Sequence, residues 1–143
     1  MFKDCENVTI IHGDSGIELS TLLEKINEPV TFWIDAHYCA DGAHIGDKWS
    51  PIKDELNAIK LHHIKTHTIL IDDWRCMDNT HIDYTWNEQT NLGSKVSVDD
   101  KNGKEVGFLG KDICLEFIKS INQNYKLSFV NGVEENDVLC CVV

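Results

Sequence analysis

Three short apolar runs of the chain are each followed by acid. Val8–His12 (VTIIH) leads into Gly13-Asp14-Ser15, Val30–Ile34 (VTFWI) into Asp35, and Thr68–Ile71 (TILI) into Asp72-Asp73. If these runs are neighbouring parallel strands, their terminal carboxylates converge on one rim. Three or more carboxylates beside a hard divalent cation is the arrangement that holds Mg2+, Mn2+ or Ca2+. Without a cation, such groups repel one another and raise each other's pKa. His37, two residues beyond Asp35, falls on the same rim, where a neutral imidazole suits proton removal near pH 7. Plainer roles stand beside these. Asp at a strand end also caps a turn or the next helix, and a loop histidine is often solvated or structural. Adjacent Asp72 and Asp73 cannot both point the same way, so at least one faces the rim or a loop. A metal-dependent hydrolase would use the same carboxylates.

The elements that must position these residues read as alternating strands and helices. Ser15-Gly16-Ile17-Glu18 has the form of a capping box, and Ile17, Leu19, Leu22, Leu23 and Ile26 give a mostly one-sided helix to about Asn27. A polar loop spans Ala36–Trp49. Ser50 at the cap and Pro51 at the first helical position open a second helix with Ile52, Leu56 and Ile59 on its buried face. Weak strand signals at 96–98 and 106–108 read as a hairpin around Asn102-Gly103. A third helix carries Ile113, Phe117, Ile118 and Ile121, and strands at 125–130 and 138–143 flank a turn at Gly132. Continuous apolar strands between amphipathic helices predict an α/β fold with a parallel sheet covered by helices on both faces. Ligands then bind beyond the carboxyl ends of the strands. Trp33 is expected in the core. Trp49 and Trp74 either wall an aromatic pocket or pack ordinarily, and Arg75 pairs with the acids or meets an anionic substrate. His62, His63 and His67 admit a metal reading, but histidine near a helix C-terminus is favoured by the helix dipole.

Composition narrows the function classes. The 143 residues fit one domain, 1–143, and the formal net charge is 13 − 24 = −11. That charge argues against nucleic-acid backbones and anionic membrane surfaces as partners. No run approaches the ~18 apolar residues of a membrane span, and the first residues do not resemble a secretory signal. The six cysteines form no paired CxxC knuckles. They read as free thiols in a cytoplasmic protein, with Cys140 and Cys141 buried.

His12-Gly13-Asp14-Ser15, Phe32-Trp33-Ile34-Asp35-Ala36-His37-Tyr38, Ser50-Pro51-Ile52-Lys53-Asp54-Glu55-Leu56 and His67-Thr68-Ile69-Leu70-Ile71-Asp72-Asp73-Trp74-Arg75 follow one another in a telling order. That order and spacing resembles class I S-adenosylmethionine-dependent methyltransferases. The likeness is nearest to the sugar- and natural-product-modifying O-methyltransferases of the macrocin and cephalosporin-hydroxylase-like type. It covers most of residues 8–143. It implies a truncated Rossmann-like methyltransferase sheet, mostly parallel, with an antiparallel C-terminal hairpin. It implies that Asp35, Asp72 and Asp73 hold Mg2+ or another divalent cation, and that His37, with Asp35, serves catalysis as the base. Asp14, Ser15 and Asp35 would meet S-adenosylmethionine, and the acceptor would be a hydroxyl of a small molecule or glycan. One departure matters. The family's glycine-rich turn after its first strand has no counterpart, because Val8–His12 already resembles the third strand. In the family's order the missing strands lie between the third and the fourth. The fourth strand, Val30–Ile34, is therefore expected either to be an exposed edge or to pair with Val8–His12. An exposed edge invites a second copy or a complementing chain, and the chain then reads as a fragment, a non-catalytic relic or a subunit.

Overall fold

A computed structural model describes residue 2, residues 5–37, 50–77 and 109–143, and the backbone alone of Cys76, 84–87 and 92–95. In chain order the elements are α1 (Ser15–Leu23), β1 (Thr31–Ile34), α2 (Ile52–Leu61), β2 (Thr68–Ile71), a 3-10 turn (Trp74–Met77), β3 (Tyr84–Asn87), β4 (Leu92–Lys95), α3 (Lys111–Ile121), β5 (Lys126–Val130) and β6 (Val138–Val142). The main sheet has four strands in the order β1-β2-β6-β5, and β3 and β4 form a separate antiparallel hairpin. The strand signals at 96–98 and 106–108 lie outside the described residues.

The sheet is mixed. β1 pairs with β2 in parallel, and β6 pairs antiparallel with both β2 and β5. Three strands, β1, β2 and β5, therefore run one way and β6 runs back between them. The expected antiparallel C-terminal hairpin is present, but only one of the three ladders is parallel. Val8–His12 joins no ladder among the described residues, and Val8, Ile10 and Ile11 are exposed. β1 is thus an edge of the sheet, the first of the two expected outcomes.

Register explains which side chains form the core. Phe32 pairs with Ile69 and Ile34 with Ile71, while Ile69 faces Cys141 and Ile71 faces Leu139. These six residues share one face and are buried. They form a single cluster with Leu23 of α1, with Ile52, Leu56 and Ile59 of α2, and with Cys114, Ile118 and Ile121 of α3. The i, i+4, i+7 spacing of the α2 residues puts them on one stripe. The opposite face differs. Trp33 is 56% exposed and Val142 45% exposed, so Trp33 is not a core residue. Helices cover one face of the sheet among the described residues, rather than both. The run VTFWI is continuous in hydrophobicity, but strand period 2 sends Phe32 and Ile34 inward and Trp33 outward.

Local signals set the helix ends, with two shifts from expectation. Asp14, not Ser15, is the N-cap of α1: its Oδ1 accepts from the Gly16 amide at 2.9 Å, and its carbonyl takes the amides of Ile17 and Glu18. The helix ends at Leu23, and amides of Lys25 and Ile26 bond three residues back, continuing a tightened turn to Ile26. α2 starts at Ile52 with Pro51 at the cap, while the Ser50 hydroxyl accepts from the Ile52 amide at 3.4 Å. Gly16 lets α1 meet α2: a Cβ there would lie 3.0 Å from the Asp54 Cβ and 3.1 Å from the Pro51 Cβ.

The two sheet faces should respond differently to substitution. Ile69→Ala empties a fully buried site and is expected to cost about 2–5 kcal/mol. Trp33→Thr, on the open face, should stay within about 1 kcal/mol. Urea midpoints of the two variants check this assignment.

Candidate metal and proton-transfer site

The rim is built by the ends of β1 and β2 and by the start of β6. The parallel ladder continues one bond past the strands, from the Asp72 amide to the Ile34 carbonyl, so Asp35 and Asp72 leave the sheet side by side. The chain then turns sharply. The Asp73 backbone sits in the left-handed region, φ 52, and its amide donates to Asp72 Oδ1 at 2.9 Å. Asp tolerates that conformation better than most residues. The turn separates the two adjacent carboxylates, as their adjacency requires. Because β6 runs antiparallel, its N-terminal flank reaches the same rim and brings Asp137 there.

His37 stands between Asp35 and Asp73. Its Nε2 is 3.0 Å from Asp73 Oδ2, and its Nδ1 is 3.7 Å from Asp35 Oδ1. An ionised carboxylate only accepts, so His37 Nε2 carries the hydrogen toward Asp73. In the neutral ring the basic nitrogen is then Nδ1, on the Asp35 side. Asp73 uses its other oxygen as well, with Oδ1 2.6 Å from Arg75 Nη2. Arg75 Nη1 pairs with Asp137 Oδ2, and the Arg75 amide donates to Asp137 Oδ1 at 3.2 Å. The Asp137 carbonyl accepts from the Trp74 amide at 2.7 Å. The Asp137 side chain is fully shielded from solvent.

Two groups of side chains have ligand atoms within 4.8 Å of one another: Asp35, His37 and Asp73, and Asp72, Asp73 and Asp137. Either could hold a metal ion. The expected set Asp35, Asp72 and Asp73 is therefore divided between them, with Asp73 common to both. The second group already faces the Arg75 guanidinium. In the first, burial pushes the Asp35 carboxyl above its ordinary pKa, and the charges of Asp72 and then Asp73 push the same way, while His37 opposes them. A cation beside Asp35 would relieve that cost. Asp35, His37, Asp72 and Asp73, with Ser50 and Met77, help line an open cleft with about 10 Å3 of water-accessible space.

Asp14 and Ser15 lie elsewhere. The α2 N-terminus stands between the two places: Ser50 and Ile52 line the cavity, while Pro51 and Asp54 touch Gly16. Ser15 hydrogen-bonds Glu55, which is 4% exposed and whose Oε2 has no partner. Burial, then the nearby charges of Asp14 and Asp54, push the Glu55 carboxyl up to about 7 against the Ser15 bond. Trp74 is buried and tilts against Phe129 at 5.8 Å, so it packs rather than walls a pocket. Trp49 lies outside the described residues. Sequence reasoning missed Asp137 and Glu55 as members of these networks. The signal available was an Asp immediately before an apolar C-terminal run, which points to a rim only once that strand is known to run antiparallel.

No protein-family model, no curated protein and no solved structure matches the chain.

Two outcomes follow from these burials. Asp137→Ala removes the acceptor of Arg75 and is expected to cost about 2–4 kcal/mol, less than a fully buried pair because Arg75 is a third exposed. Glu135→Ala, on the exposed loop before it, should cost under about 0.5 kcal/mol in the same denaturant titration. Glu55 is protonated more readily folded than unfolded. It therefore adds stability at pH below about 4.5 and loses it as pH rises through about 7. Glu55→Gln should flatten that dependence, by on the order of a few kcal/mol in unfolding free energy between the two limits.

Proposed function

We propose that the rim is the cation-binding and hydroxyl-activating part of an O-methyltransferase site, acting on a hydroxyl of a sugar or small glycoside. The observation that carries this is His37 fixed by Asp73 and placed beside Asp35, at the ends of two parallel strands. The α/β fold and the antiparallel C-terminal hairpin also agree with the resemblance to class I methyltransferases. Asp35 and Asp73, which share one group of converging ligand atoms, would hold a divalent cation such as Mg2+. The raised pKa of Asp35 supports the fit, because a carboxylate made costly by burial and neighbouring acids is one that a cation relieves. Bound there, a divalent cation supplies Lewis acidity that lowers the pKa of a hydroxyl reaching it.

The residues of this chain then have separate tasks. Asp73 orients the imidazole and stabilises it once protonated. Nδ1 of His37 receives the hydroxyl proton, since its other nitrogen already carries the hydrogen toward Asp73. Arg75 keeps Asp73 in place and compensates Asp137.

S-adenosylmethionine, which would supply the methyl group, does not fit the described residues alone. The water-accessible space of about 10 Å3 is far too small to enclose a drug-sized ligand. The Asp14 carboxylate is already engaged as a helix cap. A cofactor pocket would need further surface, and the free edge of β1 is where a complementing chain or second copy would add it. The same mismatch favours a second reading, a methyltransferase-like module that keeps the cation site without transfer.

Calorimetric titration with Mn2+ and Mg2+ tests the site. One cation per chain is expected, with affinity reduced at least about tenfold in Asp35→Asn and in Asp73→Asn. No binding of either ion would sink the proposal. A thermal shift with S-adenosylmethionine separates the two readings: cation binding without cofactor binding selects the module.

A further inference from the structure

At the opposite end of the sheet from the acidic rim, two buried histidines tie together the segments that lead into β1 and β2. His67, just before β2, is fully buried, and His62, the C-cap of α2, is 8% exposed. The Val30 amide donates to His67 Nδ1 at 3.1 Å. That nitrogen must therefore hold a lone pair, and in the neutral ring Nε2 carries the hydrogen. His67 Nε2 is 2.8 Å from His62 Nδ1, so His67 donates and His62 accepts. The His62 hydrogen is then on Nε2, which lies 3.1 Å from the Ile26 carbonyl, an acceptor only. Donation runs one way, from the Val30 amide through both rings to the Ile26 carbonyl. The hydrogen positions follow from the partners, and every polar atom is satisfied only when both rings are neutral and both are the Nε2–H tautomer.

A further proton has nowhere to sit in this arrangement. On His67 it would set an N–H against the Val30 N–H. On His62 it would set one against the His67 N–H. The surroundings offer no compensation. His63 meets His62 edge-on at 4.3 Å between ring centres. Lys65 lies near, the Phe32 ring meets His67 edge-on, and the Tyr125 hydroxyl donates to the His67 carbonyl at 2.8 Å. Among the described residues no carboxylate pairs with either ring. Burial lowers the pKa of His67, and positive charge on His62, His63 or Lys65 lowers it further.

We propose that His62 and His67 form a proton-operated latch: the neutral pair fastens the connection between α1 and β1 to the connection between α2 and β2, and proton uptake by the pair releases the segment from Ile26 to Val30. The sign follows from linkage. Released rings take protons at their ordinary pKa of about 6.5, while the closed pair excludes them. The latch is therefore closed above that pH. On acidification its closing equilibrium weakens by up to about tenfold per pH unit for each ring, and so by up to about a hundredfold for the pair, until the depressed pKa of His67 is reached. The device is independent of what the rim binds. It also differs from the effect of Glu55, which adds global stability as pH falls, so the latch must be read locally.

Two measurements on the wild-type chain test it. Long-range 1H–15N spectra at pH 7.5 should show both rings neutral and in the Nε2–H form. Hydrogen exchange should show the Val30 amide losing protection below about pH 6, by up to about a hundredfold per unit when both rings take protons, while the amides of the β2·β6 ladder keep theirs. An imidazolium or Nδ1–H ring at either position at pH 7.5 would overturn the proposal. So would Val30 protection that follows the ladder throughout the acid range.

Discussion

A carboxylate with no solvent contact must be paired, and in this chain the pairing of Asp137 organises the rim. Its two oxygens take the Arg75 side chain and the Arg75 amide, and its carbonyl takes the Trp74 amide. These contacts pin the turn at 74–77 against the start of β6. The turn, in turn, holds Asp73 in a left-handed conformation whose carboxylate reaches both Arg75 and His37. Position passes from a buried charge, through a guanidinium fork, to the one acid that both candidate metal groups share. Arg suits that role because its planar fork holds two carboxylates at once.

How much of this was legible in the sequence follows from periodicity and direction. VTFWI and TILI are runs that only a strand packed among other elements explains, and each ends in Asp, so the convergence of Asp35 with Asp72-Asp73 could be read directly. Ile52, Leu56 and Ile59 marked the buried stripe of α2 for the same reason. Trp33 could not be placed, because an all-apolar run does not say which of its two faces is covered. Asp137 was invisible because a parallel sheet gathers acids at the carboxyl ends of its strands, and an antiparallel strand presents its amino end at that rim instead. Val8–His12 has strand composition but no ladder partner among the described residues. Composition records a preference, while a ladder needs a neighbour with free backbone groups. The role of His62 and His67 depends on a contact between two segments, which no local pattern encodes.

The sheet is electrostatically polarised by this architecture. At one end, where β1 and β2 finish, four carboxylates gather with one arginine and one histidine among the described residues. At the other, where those strands begin, two histidines use all four ring nitrogens in hydrogen bonds with each other and with backbone groups. Burial acts in opposite directions on the two sets: it raises Asp35, which is costly as an anion, and lowers His67, which is costly as a cation. The two ends therefore differ in what they can still accept. The histidine pair has every donor and acceptor used and can only lose by gaining a charge. The rim has spare acceptors and can gain by taking one.

That difference bears on whether Asp73, already touching His37 and Arg75, has anything left for a cation. An ionised carboxylate offers about four lone-pair directions, two on each oxygen. His37 takes one on Oδ2 and Arg75 one on Oδ1, so half the capacity remains. Asp35 makes no hydrogen-bond-length contact with His37, since 3.7 Å is too long, and carries an unfavourable charge. A divalent ion between Asp35 and Asp73 would thus complete Asp35 without dismantling the contacts of Asp73. The Asp72, Asp73 and Asp137 group is already compensated: its buried member pairs with the Arg75 guanidinium, which an ion there would have to displace. The rim is built so that one group is neutralised from within and the other from outside, and the imidazole that would receive a proton stands on the outer side.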